Sequence, residues 1–384
     1  MKVAFITNIA AHFHKKTFEE FAKNHDVVFY FFSEGNESWI EKRNTVSMGR
    51  FVWKRTRGIS LTSTIRINVP LVIELLKGKY DVIIQSINGR FELLASFIIA
   101  KARGIPFILW TNLWFHPQTF FHFLTFPLVR LIYRKSDAIV TYGYHVDGYL
   151  TGLGVDRAKL FHSWNVTDNS LFNKHVTDAE KKELLDRYRI AGKRVALFVG
   201  RLSEEKGLTY LLEAFSTLDP GISAQLVLVG GGPQESLLKA RVSEAKMKNV
   251  VFAGYIATDS LYKFYAIADV FILPSITTGT LKEVWGIVIN EALNQGCPVI
   301  ATEAVGAAMG GLIDNGKNGI IIPEKNSQAI KDAITQLFAD ENKLRTMKEN
   351  ARESINGWDE KKSFAGFDDA LRFCLATQRR RKKN

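Results

Sequence analysis

Short runs of valine, isoleucine and phenylalanine recur along this chain, each separated from the next by a helix-length amphipathic stretch. In the first half they are Val3–Thr7, Val27–Phe32, Asp81–Gln85, Pro106–Trp110 and Ala138–Tyr142. In the second half they are Arg194–Val199, Gln225–Val229, Val250–Ala253, Val270–Leu273, Pro298–Ala301 and Gly319–Ile322. The runs are nearly continuous rather than alternating, which is how parallel strands read when helices cover both faces of their sheet. The fold class is therefore α/β with doubly wound parallel sheets. The strand series stops near residue 162 and restarts at Arg194, with the polar helix Thr177–Arg189 between, so two such domains meet near residue 170.

A chain of 384 residues has room for both. With 46% hydrophobic and 23% charged residues it is neither disordered nor fibrous. Two cysteines, Cys297 and Cys374, cannot staple a secreted fold, and neither lies in a metal-ligand spacing, so a reducing cytoplasm is expected. The amino terminus, MKVAFITNIAAHFHKK, has too short an apolar run for a signal peptide. The richest apolar stretch, Ile105–Tyr133, is broken by Asn112, His116, Pro117, Gln118, His122, Pro127 and Arg130, and is not expected to span a membrane.

The net charge of +12 is unevenly spread: residues 1–170 hold 21 basic residues against 13 acidic, and the tail Arg379–Lys383 is entirely basic. Such asymmetry faces something anionic, whether nucleic acid, membrane surface or phosphate-bearing substrate. Phe120–Lys135, FFHFLTFPLVRLIYRK, combines bulky apolar residues with Arg130, Arg134 and Lys135. It reads either as a helix lying in a membrane interface or as one covering the first sheet.

In open parallel sheets, ligands bind beyond the carboxyl ends of the strands, so the residues that follow each run matter most. After Val199 comes Gly200-Arg201-Leu202-Ser203-Glu204-Glu205-Lys206-Gly207, a tight turn carrying two cations five residues apart, suited to a diphosphate. After Val229 comes Gly230-Gly231-Gly232-Pro233, opening a helix over Gln234–Lys246; it is neither a dinucleotide fingerprint nor a P-loop. After Leu273 comes Pro274-Ser275, and then Glu283-Val284-Trp285-Gly286 leads into a helix expected to start at Gly286. The first-turn amides of that helix (Gly286, Ile287, Val288) form an anion site, and Glu291 lies a turn and a half inside it among apolar residues. A carboxylate there needs partners, and sugar hydroxyls are good ones.

Taken together, Gly-Arg-Leu-x3-Lys-Gly, Val-Gly-Gly-Gly-Pro, Leu-Pro-Ser and Glu-x7-Glu-Ala-x3-Gly-x-Pro-Val-Ile-Ala-Thr resemble, in order and spacing, the retaining GT-B glycosyltransferases of family four, glycosyl transferases group 1. The resemblance is clear over residues 194–325 and weaker elsewhere. It implies two Rossmann-like domains facing across a cleft, residues 1–170 binding acceptor and 171–357 binding donor. The last helix, 358–384, would cross back to the first domain and add its basic tail to the same positive face. It also implies that Arg201 and Lys206 hold the donor diphosphate, Glu283 the donor sugar and Glu291 the ribose, with Gly200 and Gly230 shaping the pocket. The amides of Gly286 and Ile287 would contact phosphate or sugar, and Gly254, Tyr255 and Leu261 would border the base. His116, just past the fourth run, occupies the place where the family often has a histidine on the donor sugar. Asn165, in Trp164-Asn165-Val166, resembles a linker segment of the family.

The first half departs from the family pattern. Where a glycine-rich loop often follows the first strand, this chain has Asn8-Ile9-Ala10-Ala11-His12-Phe13-His14. His12 or His14 would either replace the missing backbone contacts or, as surface histidines, do nothing there.

The function expected is transfer of a sugar, with retained configuration, from a nucleotide-sugar to a hydroxyl of a lipid-linked glycan in surface polysaccharide synthesis. A UDP-sugar donor is favoured and no metal or other cofactor is expected. The protein would lie at the inner face of the cell membrane as a peripheral enzyme. Arg201, Lys206 and helix amides would stabilise the leaving diphosphate, and domain closure would exclude water. A phosphorylase or nucleotide-sugar epimerase on the same architecture is the serious alternative; a non-catalytic binding subunit is weaker. Nucleic acid is not expected as a partner, because no groove-reading motif is present.

Overall fold

The computed structural model describes residues 1–9, 14–33, 51–60, 66–190 and 194–383. The chain divides into two compact units. The first comprises Met1–Trp114, Phe120–Val166 and Asp359–Asn384; the second comprises Phe115–Thr119 and Thr167–Trp358.

The strands of the first unit are β1 (Lys2–Thr7), β2 (Asp26–Phe31), β3 (Trp53–Arg55), β4 (Ile59–Ser60), β5 (Arg66–Ile67), β6 (Val82–Ser86), β7 (Phe107–Thr111), β8 (Ala138–Thr141) and β9 (Leu160–His162). Seven of them form one sheet in the order β3-β2-β1-β6-β7-β8-β9, parallel throughout, while β4 and β5 make a small antiparallel pair. The central strands are buried end to end, which is why their sequences show no alternation. Phe18 and Phe21 of the helix Lys15–Asn24 pack their rings 5.4 and 5.8 Å from that of Phe5 on β1. The last helix, Glu360–Lys383, covers the same face. Its Phe367 meets Phe5, Phe21 and Trp110 at 5.3, 5.7 and 5.7 Å.

His14 corrects the surface reading of the first loop. It is 9% exposed, and its Nε2 lies 3.0 Å from the Tyr142 hydroxyl, so it belongs to the aromatic interior beside Trp110. His12 lies outside the described residues.

The second unit holds β10 (Arg194–Val199), β11 (Ala224–Val229), β12 (Val250–Gly254), β13 (Val270–Leu273), β14 (Val299–Thr302) and β15 (Gly319–Ile322). They form one parallel sheet in the order β12-β11-β10-β13-β14-β15. The order reverses between β10 and β13. A crevice opens where successive connections leave to opposite sides, so the loops after β10 and β13 flank the natural ligand position of this sheet.

Candidate active site

At the end of β10 the backbone turns at Gly200, whose N–H donates to Val229 O at 3.0 Å. Gly230, at the end of β11, has φ +128°, and a Cβ there would stand 1.9 Å from Gly200 O. Only glycine lets these two loops close on each other. Leu202 then donates its N–H to Gly231 O and accepts from Gln234 N–H, both at 2.9 Å, tying the Arg201 loop to the glycine run. The helix after that run spans Glu235–Glu244.

Lys206 ends a single 3-10 turn, Glu204–Lys206, which Gly207 terminates at φ +63° against Pro274 O. Its ammonium forms an ion pair with Glu283, which arrives from the loop after β13. The two side chains are only 18% and 14% exposed, and Ser275 Oγ donates to the same carboxylate oxygen at 3.4 Å. Two residues 77 positions apart thus meet across the reversal of strand order. The backbone around Glu283 is held by Gly306 N–H on Glu283 O (3.1 Å) and Ala307 N–H on Trp285 O (2.7 Å). Arg201 is exposed on the same loop as Lys206.

Gly286 has φ +87°, and a Cβ there would press within 2.7 Å of Leu273. The helix it was expected to open begins later, at Val288, and runs only to Asn294, with Ile287 as its cap. The reason is Gly286 itself, whose left-handed backbone lies outside helical geometry. Glu291 therefore lies in the first turn rather than a turn and a half inside. It is buried, and the Tyr265 hydroxyl donates to its Oε2 at 2.7 Å. Burial pushes the Glu291 carboxyl up to about 7, the hydrogen bond from Tyr265 pulling the other way.

Gly254 closes β12 at φ +72° with open space where a Cβ would stand, and Tyr255 beside it is exposed. Leu261, by contrast, is buried at the start of the helix Leu261–Ile267. His116 belongs by its contacts to the second unit: it lies in Phe115–Thr119, where Gln118 N–H donates to Gly279 O at 2.8 Å. The loop so gripped, 276–282, is also fastened by Glu324, which accepts from the N–H of Thr277 and, at 2.8 Å, from its hydroxyl. Among the described residues no group of three or more His, Cys, Asp or Glu is placed to hold a metal ion.

Sequence reasoning singled out both members of the Lys206–Glu283 pair without their contact. It missed Tyr265 and Glu324 altogether. Ser275 appeared in the Leu-Pro-Ser motif with no role, and nothing in its neighbourhood signalled one.

Comparison with known proteins gives the second unit its relatives. Residues 180–354 match the family of glycosyl transferases group 1. That stretch lies within the second unit, which carries the family's domain. The protein is a glycosyltransferase, and nucleotide-sugar donors are the substrate class that the match supports. It is similar to an alpha-D-kanosaminyltransferase of Streptomyces kanamyceticus, 26% identical over 265 residues, covering 66% of this chain and 67% of the relative. It is also similar to a GDP-mannose-dependent alpha-(1-6)-phosphatidylinositol monomannoside mannosyltransferase of Mycobacterium tuberculosis, 33% identical over 188 residues. That match spans about half of each protein, 47% of this chain and 48% of the relative. In three dimensions it resembles Anabaena Alr3699/HepE, whose structure was solved in complex with UDP. The TM-score is 0.75 at 18% identity, covering 97% of this chain and 99% of that one. The fold is the GT-B class anticipated from the motifs.

Proposed function

We propose that this glycosyltransferase moves a sugar from a UDP-sugar, with retained anomeric configuration, to a hydroxyl of a membrane-associated, lipid-linked glycan acceptor in surface polysaccharide synthesis. The observation that carries the reading is the Lys206–Glu283 pair at the strand-order reversal of the second sheet. An ammonium has three N–H donors. Lys206 can therefore keep one on Glu283 while offering the others to a diphosphate, and the Glu283 carboxylate is the acceptor beside it for a sugar hydroxyl. The pair so placed sits between leaving group and sugar.

Charge accumulates on the diphosphate as the glycosidic bond breaks, and fixed cations in a partly dry site stabilise it more than water does. Arg201, on the same loop, is the second cation in this role. The leaving phosphate takes the acceptor's proton, so no separate base is required of the protein. Glu291, held by Tyr265, receives the ribose hydroxyls, with Gly200, Gly230 and Gly254 leaving room for backbone approach and Tyr255 and Leu261 beside the base. The Gly286 and Ile287 amides and His116 complete the contacts to phosphate and sugar.

UDP is favoured by the UDP complex of the Anabaena neighbour, while the mycobacterial relative's name specifies GDP-mannose. That relative's acceptor, a phosphatidylinositol mannoside, is a lipid, and the basic first half of this chain suits such a partner. Among the described residues no helix is long and apolar enough to cross a membrane, so the association we propose is peripheral. The test is turnover of each common nucleotide-sugar in the presence of lipid-linked acceptors, with the anomeric configuration of the product read by proton NMR. Retained configuration and UDP release are expected; an inverted product, or release of free sugar with no acceptor modified, overturns the reading.

A further inference from the structure

The helix Phe120–Lys135 in the first unit leaves its apolar stripe uncovered. Phe120 is 78% exposed, Phe123 74% and Leu124 59%, and Leu128 and Leu131 continue the same line. With Pro127, these residues recur at steps of three and four, so they share one side of the helix, roughly 140° wide at 100° per residue. On the other side Ile132 and Tyr133 are buried and Phe126 and Val129 half-buried. The helix thus has both faces apolar, and among the described residues only one of them is covered.

The charged residues of this helix are all cationic. Arg134 and Lys135 are exposed in the last turn, and the helix contains no acidic residue. Arg130 is exposed on its flank, donating to Leu153 O at 3.1 Å. Near the other end, the exposed Arg90 places its guanidinium 3.8 Å from the ring centroid of Phe121. At 16 residues the helix is about 24 Å long, short of the roughly 30 Å of a bilayer's hydrocarbon core, so it cannot cross.

We propose that this stripe is an in-plane anchor, inserting Phe120, Phe123, Leu124, Leu128 and Leu131 into the interface of an anionic phospholipid bilayer. Arg90, Arg130, Arg134 and Lys135 reach outward from it to the headgroups. The complementarity is specific to that occupant: aromatic and leucine side chains supply depth, and the helix's cations with Arg90 select negative headgroups. The inference rests on the membrane-associated acceptor proposed above only for its purpose; its geometry stands without it.

Sedimentation of the full chain with vesicles tests it. The chain is expected to partition onto phosphatidylglycerol-containing vesicles and only weakly onto pure phosphatidylcholine. The triple variant Phe120→Ser, Phe123→Ser, Leu124→Ser should bind the anionic vesicles at least roughly ten-fold more weakly. The pair Arg134→Ala, Lys135→Ala should lose roughly five-fold per cation and most of the preference for anionic lipid. Since all these side chains are exposed, both variants should unfold at the wild-type temperature, and their response to nucleoside diphosphates should be unchanged. Absence of vesicle binding, or binding equal in the wild type and the triple variant, overturns the proposal. So does a wild-type dimer that the triple variant converts to monomer, since a second copy would then cover the stripe. Failure of the donor reading would show separately, as absence of any nucleotide response in a chain that still binds vesicles.

Discussion

Glu291→Gln turns the buried carboxylate of the second unit into a measurable pH dependence. In the folded protein the Glu291 carboxyl is pushed up to about 7 by burial, against 4.5 for the free side chain. Between those values the native state holds a proton that the unfolded chain has released. Stability must therefore fall as pH rises through this window. Each tenfold separation of the two equilibria is worth about 1.4 kcal/mol, so the full effect at alkaline pH is about 3 kcal/mol. Most of it develops between pH 5 and pH 8. Glutamine keeps an acceptor for the Tyr265 hydroxyl but cannot ionise, so the variant should escape the loss. Urea unfolding followed by tryptophan fluorescence should find the variant more stable than the wild type at pH 8, by about 2–3 kcal/mol more than at pH 5. Tyr265→Phe, which removes the one group holding the carboxyl down, should deepen the wild-type loss. Parallel curves for wild type and Glu291→Gln across this range would refute the argument, because the carboxyl would then titrate alike in both states.

Lys206→Ala and Glu283→Ala should each lower kcat at least ~100-fold, measured as transfer of radiolabelled sugar, while far-ultraviolet circular dichroism stays unchanged. Gly230→Ala should cost about 2 kcal/mol or more in urea unfolding, since its Cβ would stand 1.9 Å from Gly200 O. Gly254→Ala, with positive φ but open space, should cost only about 1 kcal/mol in the same experiment. Phe367→Ala should destabilise the first unit by about 3–5 kcal/mol, because it empties the contact with Phe5, Phe21 and Trp110.

The parallel strands were legible because burial on both faces leaves an unbroken apolar run, as in Ile83-Ile84 or Val270-Phe271-Ile272-Leu273. The edge strand Trp53–Arg55 was not, since an exposed, three-residue strand containing Lys54 and Arg55 carries no such run. Candidate site residues at strand ends could be picked out one by one, as Lys206 and Glu283 were. Their ion pair could not, because it depends on which strands become neighbours, and β10 and β13 are brought together by the topology. Tyr265 was invisible for the same reason: a tyrosine on a helix reads as core until the carboxylate it serves is seen beside it. Phe120–Lys135 announced an apolar helix, but with both faces apolar the sequence had no means of saying which face would be buried.

The most direct test of the central claim is a thermal-shift titration of the full chain with UDP, GDP, ADP and CMP, with and without EDTA. The account predicts a shift with UDP that EDTA does not change and that Lys206→Ala and Glu291→Gln abolish. At 100 times its dissociation constant a ligand adds about 2.7 kcal/mol, enough to see. No shift with any nucleotide, or one that both variants retain, would contradict it.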